Sequence, residues 1–339
     1  MRKVFFGRTG LEISELAFGG GVTGGILINA DEATRYNALR RAVTGGVNWI
    51  DTAPVYGDGA SEAAIGRHLQ SLVPQPYVST KVRLEADDLN DIAGAIERSL
   101  TQSLERLRSD WVALYQLHNH LGHGVGDRIA LSPAQVLGPG GVADAFERLK
   151  EQGLIHACGI TAAGDTRACL EVINSGRFDA AQVYYNAINP SAAWKELPHG
   201  WRGGQDFCGL LAACARHGMG VLSIRTWAGG VLASSARPAR LFVMTANTDA
   251  DNEVRCAAAV RAALGDAYGT PAQAALRFVL GNRDFATRVL GVSSIAQLDV
   301  ALATLAQGPL PPPQCPSLRR SGAADLIRVD LAGGMHYNA

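Results

Sequence analysis

Short apolar runs alternate along the chain with longer stretches whose apolar residues recur at helical spacing. Eight runs read as strands, at residues 16–18, 47–50, 77–80, 112–117, 157–160, 180–184, 220–224 and 289–292. Amphipathic stretches at 32–44, 61–69, 87–107, 141–151, 165–175 and 207–217 lie between them; two more, at 252–268 and 271–280, precede the last strand, and one at 295–305 follows it. Strands that are mostly apolar throughout, separated by helices, predict a parallel sheet covered on its faces. Eight such units in 339 residues fit a closed (β/α)8 TIM barrel better than an open doubly wound sheet. The open sheet would also need a G-x-G-x-x-G turn after its first strand, and Gly19-Gly20-Gly21 and Gly24-Gly25 have the wrong spacing. Ahead of the barrel, residues 4–6 and 11–14 flank Arg8-Thr9-Gly10 and predict a β-hairpin. No boundary or fixed repeat interrupts this pattern. Residues 1–339 read as one domain, with a proline-rich exit into a C-terminal tail over 309–339.

Composition narrows the functions. Lys plus Arg and Asp plus Glu both number 31, which gives no general attraction for nucleic acid or an anionic membrane. Aromatics are 6% of the chain, too sparse for a base-stacking platform. Six scattered cysteines contain no C-x-x-C pair, the pattern of a reduced chain rather than a disulfide framework. The basic opening lacks an apolar run of signal-peptide length, and no window approaches ~18 uninterrupted apolar residues. The expectation is a cytoplasmic protein acting on a small molecule, with no nucleic-acid or membrane partner.

In such a barrel the chemistry gathers at the C-terminal ends of the strands. Those ends carry Asp51, Lys81 and His118 in turn, and the loop after Asp51 carries Tyr56. Taken singly, the aspartate reads as a helix cap, the lysine as solvated and the tyrosine as packing; four titratable groups at successive strand ends read together as a site. The stretch DTAPVYGDGASEAAIG, from Asp51 to Gly66, resembles the signature of the aldo-keto reductase superfamily. Ser79-Thr80-Lys81-Val82, Leu114-Tyr115-Gln116-Leu117-His118, the opening from Phe6 to Ser14 and the segment from Asp179 to Asn186 are similar to further parts of it. The likeness runs over nearly the whole chain and is strongest from residue 47 to 120. It implies an NAD- or NADP-dependent oxidoreductase acting on an aldehyde, ketone or sugar, with a sugar (aldose) dehydrogenase branch in view.

The physics of the four residues agrees. Hydride transfer to a carbonyl leaves an alkoxide that must be protonated as its charge develops. A phenol, ordinarily near pKa ~10, cycles poorly at neutral pH. A neighbouring ammonium is expected to lower it, and a carboxylate would hold that ammonium. Tyr56, Lys81 and Asp51 supply these parts, while His118 could polarise the substrate oxygen or relay the proton.

By the same resemblance Thr161 and Gln182 hold the nicotinamide carboxamide and Tyr185 stacks on the ring, although Ala162 stands where the family has an asparagine. The family's Ser-Pro-Leu after the seventh strand is replaced by Arg225-Thr226-Trp227, followed by Ala228-Gly229-Gly230. Two readings stand for Arg225: a phosphate clamp beside a glycine loop, or a salt bridge at the barrel mouth. Gly291, Ser293, Ser294 and Gln297 open the last helix, whose N-terminus attracts phosphate. Val300 and Ala301 replace the family's acid–amide pair, and residues 292–297 contain no cation for a 2′-phosphate. Use of NAD at least equal to NADP is therefore expected.

Two alternatives of other classes remain. His118, His120 and His123 suggest metal-assisted hydrolysis, but metal-hydrolase barrels carry such an H-x-H on the first strand, and a metal would not explain Tyr56 and Lys81; no metal is expected. A cofactor-sensing regulatory subunit on the same barrel is the other, against which the complete set of four argues. His68, His156, His199 and His217 are assigned to helices or loops as surface or core residues, and residues 120–140 to a long loop walling the substrate pocket.

Overall fold

Strands β1 (Lys3–Phe5) and β2 (Glu12–Ser14) pair antiparallel, so the chain opens on the expected hairpin. The structure is a computed structural model describing residues 1–122, 129–201, 203–238, 241 and 243–311; His123 and the tail from residue 312 lie outside the described residues. After the hairpin come β3 (Leu16–Gly19), helices α1 (Ile26–Asn29) and α2 (Glu32–Thr44), β4 (Trp49–Asp51), α3 (Ala60–His68) and β5 (Tyr77–Val82). Next are α4 (Ile92–Leu107), β6 (Val112–Leu117), the two-residue strands β7 (His120–Leu121) and β8 (Ala130–Leu131), α5 (Pro133–Leu137) and α6 (Val142–Glu151). The second half runs β9 (Ile155–Ala162), α7 (Thr166–Asn174), β10 (Ala180–Tyr184), α8 (Leu210–Arg216), β11 (Gly220–Ile224), α9 (Ala250–Leu264), α10 (Pro271–Gly281), β12 (Thr287–Gly291) and α11 (Ile295–Gln307). β3, β4, β5, β6, β9, β10, β11 and β12 close a barrel in sequence order, every pair parallel. All eight predicted strands are present.

Helix starts follow side-chain caps. Asp31, Asp91 and Asp165 each accept a backbone N–H from the first turn, and Thr270 with Gln273 forms a capping box around Pro271. The Asp91 cap is why the stretch predicted from 87 begins as a 3-10 turn, Asp87–Asn90, and turns helical only at Ile92. Residues 120–140 are not one loop: β7 and β8 pair there, and Ser132 with Gln135 caps α5. His156 sits exposed on β9, with Nε2 2.9 Å from the Thr9 carbonyl oxygen, rather than on a helix or loop.

Side chains alternate across each barrel strand, and the inward set changes character along the barrel. At the hairpin end it is apolar: Phe6, Ile13, Ala17, Trp49, Leu114, Ala157, Ala180 and Leu222 form a separate buried cluster, with the Phe6 ring 5.1 Å from Trp49. Gly220 admits that plug, because a Cβ there would lie 2.4 Å from the Phe6 ring. The hairpin is also clipped from outside. Arg8 donates to Asp179 Oδ1 (3.1 Å) and to the carbonyls of Gly176 and Phe178, while Asp179 Oδ2 accepts from Lys150 (2.6 Å) and the Cys158 amide (3.0 Å).

Burial alone would raise the Asp179 carboxyl, but the Lys150 ammonium, the Cys158 amide and Arg8 outweigh it and hold the group below its ordinary value. A depressed folded-state pKa stabilises the fold above the unfolded carboxyl value and loses that contribution as pH falls through the folded one. Asp179→Asn should cost about 2 kcal/mol at pH 7. It should also flatten the acid side of the stability–pH curve, as measured by urea unfolding between pH 7 and 3. Parallel curves for the two proteins would refute the clip.

Candidate active site

The register places Asp51 of β4 beside Ser79 of β5, and Lys81 of β5 beside Gln116 of β6. These strands face the barrel interior at the end opposite the plug. Lys81 lies within β5 rather than after it, and its side chain is fully buried. Its ammonium has three partners: Asp51 Oδ2 at 2.7 Å, the Thr52 carbonyl at 2.7 Å and the Tyr56 hydroxyl at 3.3 Å. An ammonium has three hydrogens and only donates, so the Tyr56 oxygen accepts from Lys81 and keeps its own hydrogen for another acceptor. The Tyr56 ring meets His118 edge-on, with centroids 5.7 Å apart.

The loop carrying Tyr56 is fastened from behind. Thr52 Oγ1 donates to Ser61 Oγ (2.8 Å), and buried Glu62 accepts from Thr80 Oγ1 (2.5 Å) and Arg106 Nε (2.6 Å). Ser61 and Glu62 of the long strand–loop–helix motif thus tie β5, α3 and α4 together rather than face the cavity.

Burial pushes the Tyr56 phenol above its ordinary value of 10, and the Lys81 ammonium pulls only part of the way back. This corrects the expectation of a phenol lowered outright: desolvation of the phenolate outweighs the lysine. Burial would lower Lys81, but the Asp51 carboxylate and its hydrogen bond more than reverse that, and the lysine stays charged. Tyr56 is therefore a protonated donor and Lys81 a permanent cation at neutral pH.

A cavity of about 890 Å³ opens over these groups. Asp51, Tyr56, His118, Thr161, Gln182, Arg225, Thr226, Gly291, Ser293 and Gln297 all line it. Thr161 and Thr226 are buried, and neither hydroxyl has a hydrogen-bond partner among the described residues. Two orphaned hydroxyls on a wall rich in glycine (Gly19, Gly21, Gly24, Gly229, Gly230 and Gly291) fit a polar, flat-ringed ligand such as a nicotinamide dinucleotide. Ser294 caps α11 by accepting the Gln297 amide, while the Gln297 Oε1 folds back onto Ser293 N (2.9 Å) and Oγ (3.1 Å). Arg225 holds a left-handed backbone (φ +67°), and its Nη1 donates to Thr23 Oγ1 at 3.4 Å. Arg288 is buried at the far end of β12, donating to the Phe285 and Val279 carbonyls, so it takes no part here.

Of the residues expected to hold the cofactor, Ser294 and Tyr185 do not line the cavity. Gln182 points inward, so Tyr185, three residues on, points outward. It is fully buried against Phe285 (4.9 Å) and Phe278 (5.8 Å) and does not line the cavity, so it cannot stack on a ring bound there. Ser79 and Gln116 were not singled out from the sequence, yet both donate to Asp51, as does Gln182. Their signal was available in the period-two alternation that puts residues 79, 81, 114, 116 and 118 on the inward face. Among the described residues, no three His, Cys, Asp or Glu side chains cluster to hold a metal. No helix there is long and apolar enough to cross a membrane.

The sequence profile of the Aldo/keto reductase family matches residues 15–321. The chain is 25% identical over 308 residues to L-galactose dehydrogenase of Arabidopsis thaliana, covering 89% of this chain and 87% of that protein. It is 26% identical over 253 residues to D-threo-aldose 1-dehydrogenase of a Pseudomonas species, covering 67% and 69%. The fold superposes on the holo form of an aldo-keto reductase from Bacillus halodurans with a TM-score of 0.69 and 21% identity, over 100% of this chain and 98% of that one.

Proposed function

The chain belongs to the aldo/keto reductase family of NAD(P)-dependent oxidoreductases, and from that premise we propose that it exchanges hydride with the carbonyl or alcohol carbon of an aldose-sized sugar. The observation that carries this reading is the buried line from Asp51 through Lys81 to the Tyr56 hydroxyl, at 2.7 and 3.3 Å, ending in the cavity. A nicotinamide held in this cavity would supply or accept the hydride. Tyr56 gives its proton to the developing alkoxide in reduction and takes it back in oxidation. Lys81 steadies the phenolate between these events, Asp51 holds Lys81, and His118 beside Tyr56 donates toward the substrate oxygen. Thr161 and Gln182 hold the carboxamide, and Arg225, Thr226, Gly291, Ser293 and the capped start of α11 take the pyrophosphate and ribose side. Two relatives named as sugar dehydrogenases, one spanning most of the chain, support the substrate class. A cofactor-absorbance screen over aldoses, simple aldehydes and alcohols, with both cofactors, tests it. Activity confined to small non-hydroxylated aldehydes would overturn the sugar assignment.

NAD should serve at least as well as NADP. The wall along α11 is Ser293, Ala296, Gln297, Val300, Ala301 and Thr304, with no cation to receive a 2′-phosphate. Among the described residues the arginines lining the cavity are Arg83, Arg225 and Arg237; Arg83 pairs with Glu85 (3.2 Å), Arg237 pairs with Asp251 (2.7 Å), and Arg225 donates to Thr23 (3.4 Å). An unpaired phosphate dianion is costly to desolvate. The measurement is kcat/KM for each cofactor with one shared substrate. A preference for NADP above about tenfold, worth ~1.4 kcal/mol, would overturn this expectation, and loss of that preference in Arg225→Ala would assign the reading of that phosphate to Arg225.

A further inference from the structure

The carboxylate of Asp51 has more partners than a link to Lys81 requires. Oδ2 meets the ammonium, whereas Oδ1 accepts from three uncharged donors: Gln182 Nε2 (2.7 Å), Ser79 Oγ (2.8 Å) and Gln116 Nε2 (3.3 Å). An ionised carboxylate only accepts, so both glutamines must turn their NH2 groups toward it. For Gln116 that choice is costly. The residue is fully buried inside the barrel, and its Oε1 is left without a partner among the described residues. Gly159 on the neighbouring strand makes room for it, since a Cβ there would lie 3.3 Å from Gln116 Cγ. An apolar side chain would fill the same space with no orphaned acceptor. What a glutamine adds is the hydrogen bond to Asp51.

We propose that Gln116, Gln182 and Ser79 form a bracket of neutral donors that sets how much of the Asp51 charge acts on Lys81 and Tyr56, and that Gln182 makes the bracket responsive to the bound cofactor. The idea rests on the relay role proposed for Tyr56. Neutral dipoles spread the carboxylate's charge without cancelling it, so Lys81 stays paired to Asp51 yet remains a donor to the phenol. A cation in their place would compete with Lys81. Gln182 also lines the cavity, and its Oε1 makes no hydrogen bond to the described residues. A carboxamide N–H engaging that oxygen would polarise the same amide group that donates to Asp51, so occupancy of the nicotinamide subsite would tighten the bracket.

Gln116→Met keeps the length of the side chain and removes the donor. More of the Asp51 field then falls on Tyr56 and draws Lys81 away from it; both effects push the phenol up. In single-turnover reduction the alkaline limb of the pH profile should move up by about half a unit. Cofactor affinity, read by quenching of tryptophan fluorescence, should stay within about twofold. Gln182→Met should move the limb in the same direction and also weaken cofactor binding. A folded Gln116→Met protein with the limb unmoved overturns the bracket. Should that variant fail to fold, Gln182→Met carries the test, and an unmoved limb in that variant is equally fatal. If Tyr56→Phe is as active as the parent, the relay fails instead, so the two ideas fall to different measurements.

Discussion

Tyr56→Phe lowers turnover by about 10²-fold or more while leaving cofactor affinity near that of the parent. The substitution removes one oxygen. That oxygen accepts from Lys81 and keeps its own hydrogen in a residue that lines the cavity, so its loss deletes proton transfer without disturbing the fold. The ring stays, with its edge-on contact to His118, and the fastenings of its loop at Thr52–Ser61 and Glu62–Arg106 do not involve the hydroxyl. Stopped-flow reduction with cofactor in excess separates the chemical step from binding. Turnover within a few-fold of the parent would remove Tyr56 as the proton donor.

Lys81→Met has a double cost. It leaves the Asp51 carboxylate buried with neutral donors alone, and removing one partner of a buried pair typically destabilises by about 3–5 kcal/mol. It also removes the group that does most to pull the phenol back from the rise imposed by burial, with Arg225 adding less, so the phenol moves higher still. Reduction needs the protonated phenol, which is present below its pKa and lost as pH rises through it; the alkaline limb of the residual reduction should therefore move up. Oxidation needs the phenolate and should fall at any fixed pH below that value. The double variant Asp51→Asn/Lys81→Met removes the stranded charge, so it should recover much of the thermal stability and none of the turnover. Turnover restored together with stability would reduce Lys81 to a structural ion-pair partner.

The barrel was legible because each of its strands is an apolar run set off by an amphipathic helix, and periodicity detects such units well. Strand edges were less so: residues 47–50 were read for a strand that is Trp49–Asp51, since Val47 continues the apolar run while its amide bonds back to Ala42. β7 and β8 were invisible because two residues each carry no period; only long-range pairing makes them strands. Within the site, Asp51, Tyr56, Lys81 and His118 could be read because a long motif and the strand-end rule point to the same positions. Tyr185 misled because family likeness supplied a residue type, whereas strand parity supplies a direction, and the two disagree three residues after Gln182. Gln116 went unremarked for the opposite reason. It is an ordinary residue type in an apolar run, and its meaning appears only when the register sets it against Asp51.

The stoppered end of the barrel has a consequence for protons. Inward from Tyr56 the polar chain runs through Lys81, Asp51 and Ser79 to the Trp49 indole N–H, which donates to Ser79 Oγ at 3.0 Å. There it stops, against the Phe6 ring and the aliphatic cluster around it. Among the described residues the chain of side-chain hydrogen bonds goes no further toward the far side, so the route it leaves for replacing a proton consumed at Tyr56 is through the mouth. Ligands filling that mouth seal the phenol from solvent, and one turnover draws on a single stored proton that is renewed only when the well reopens.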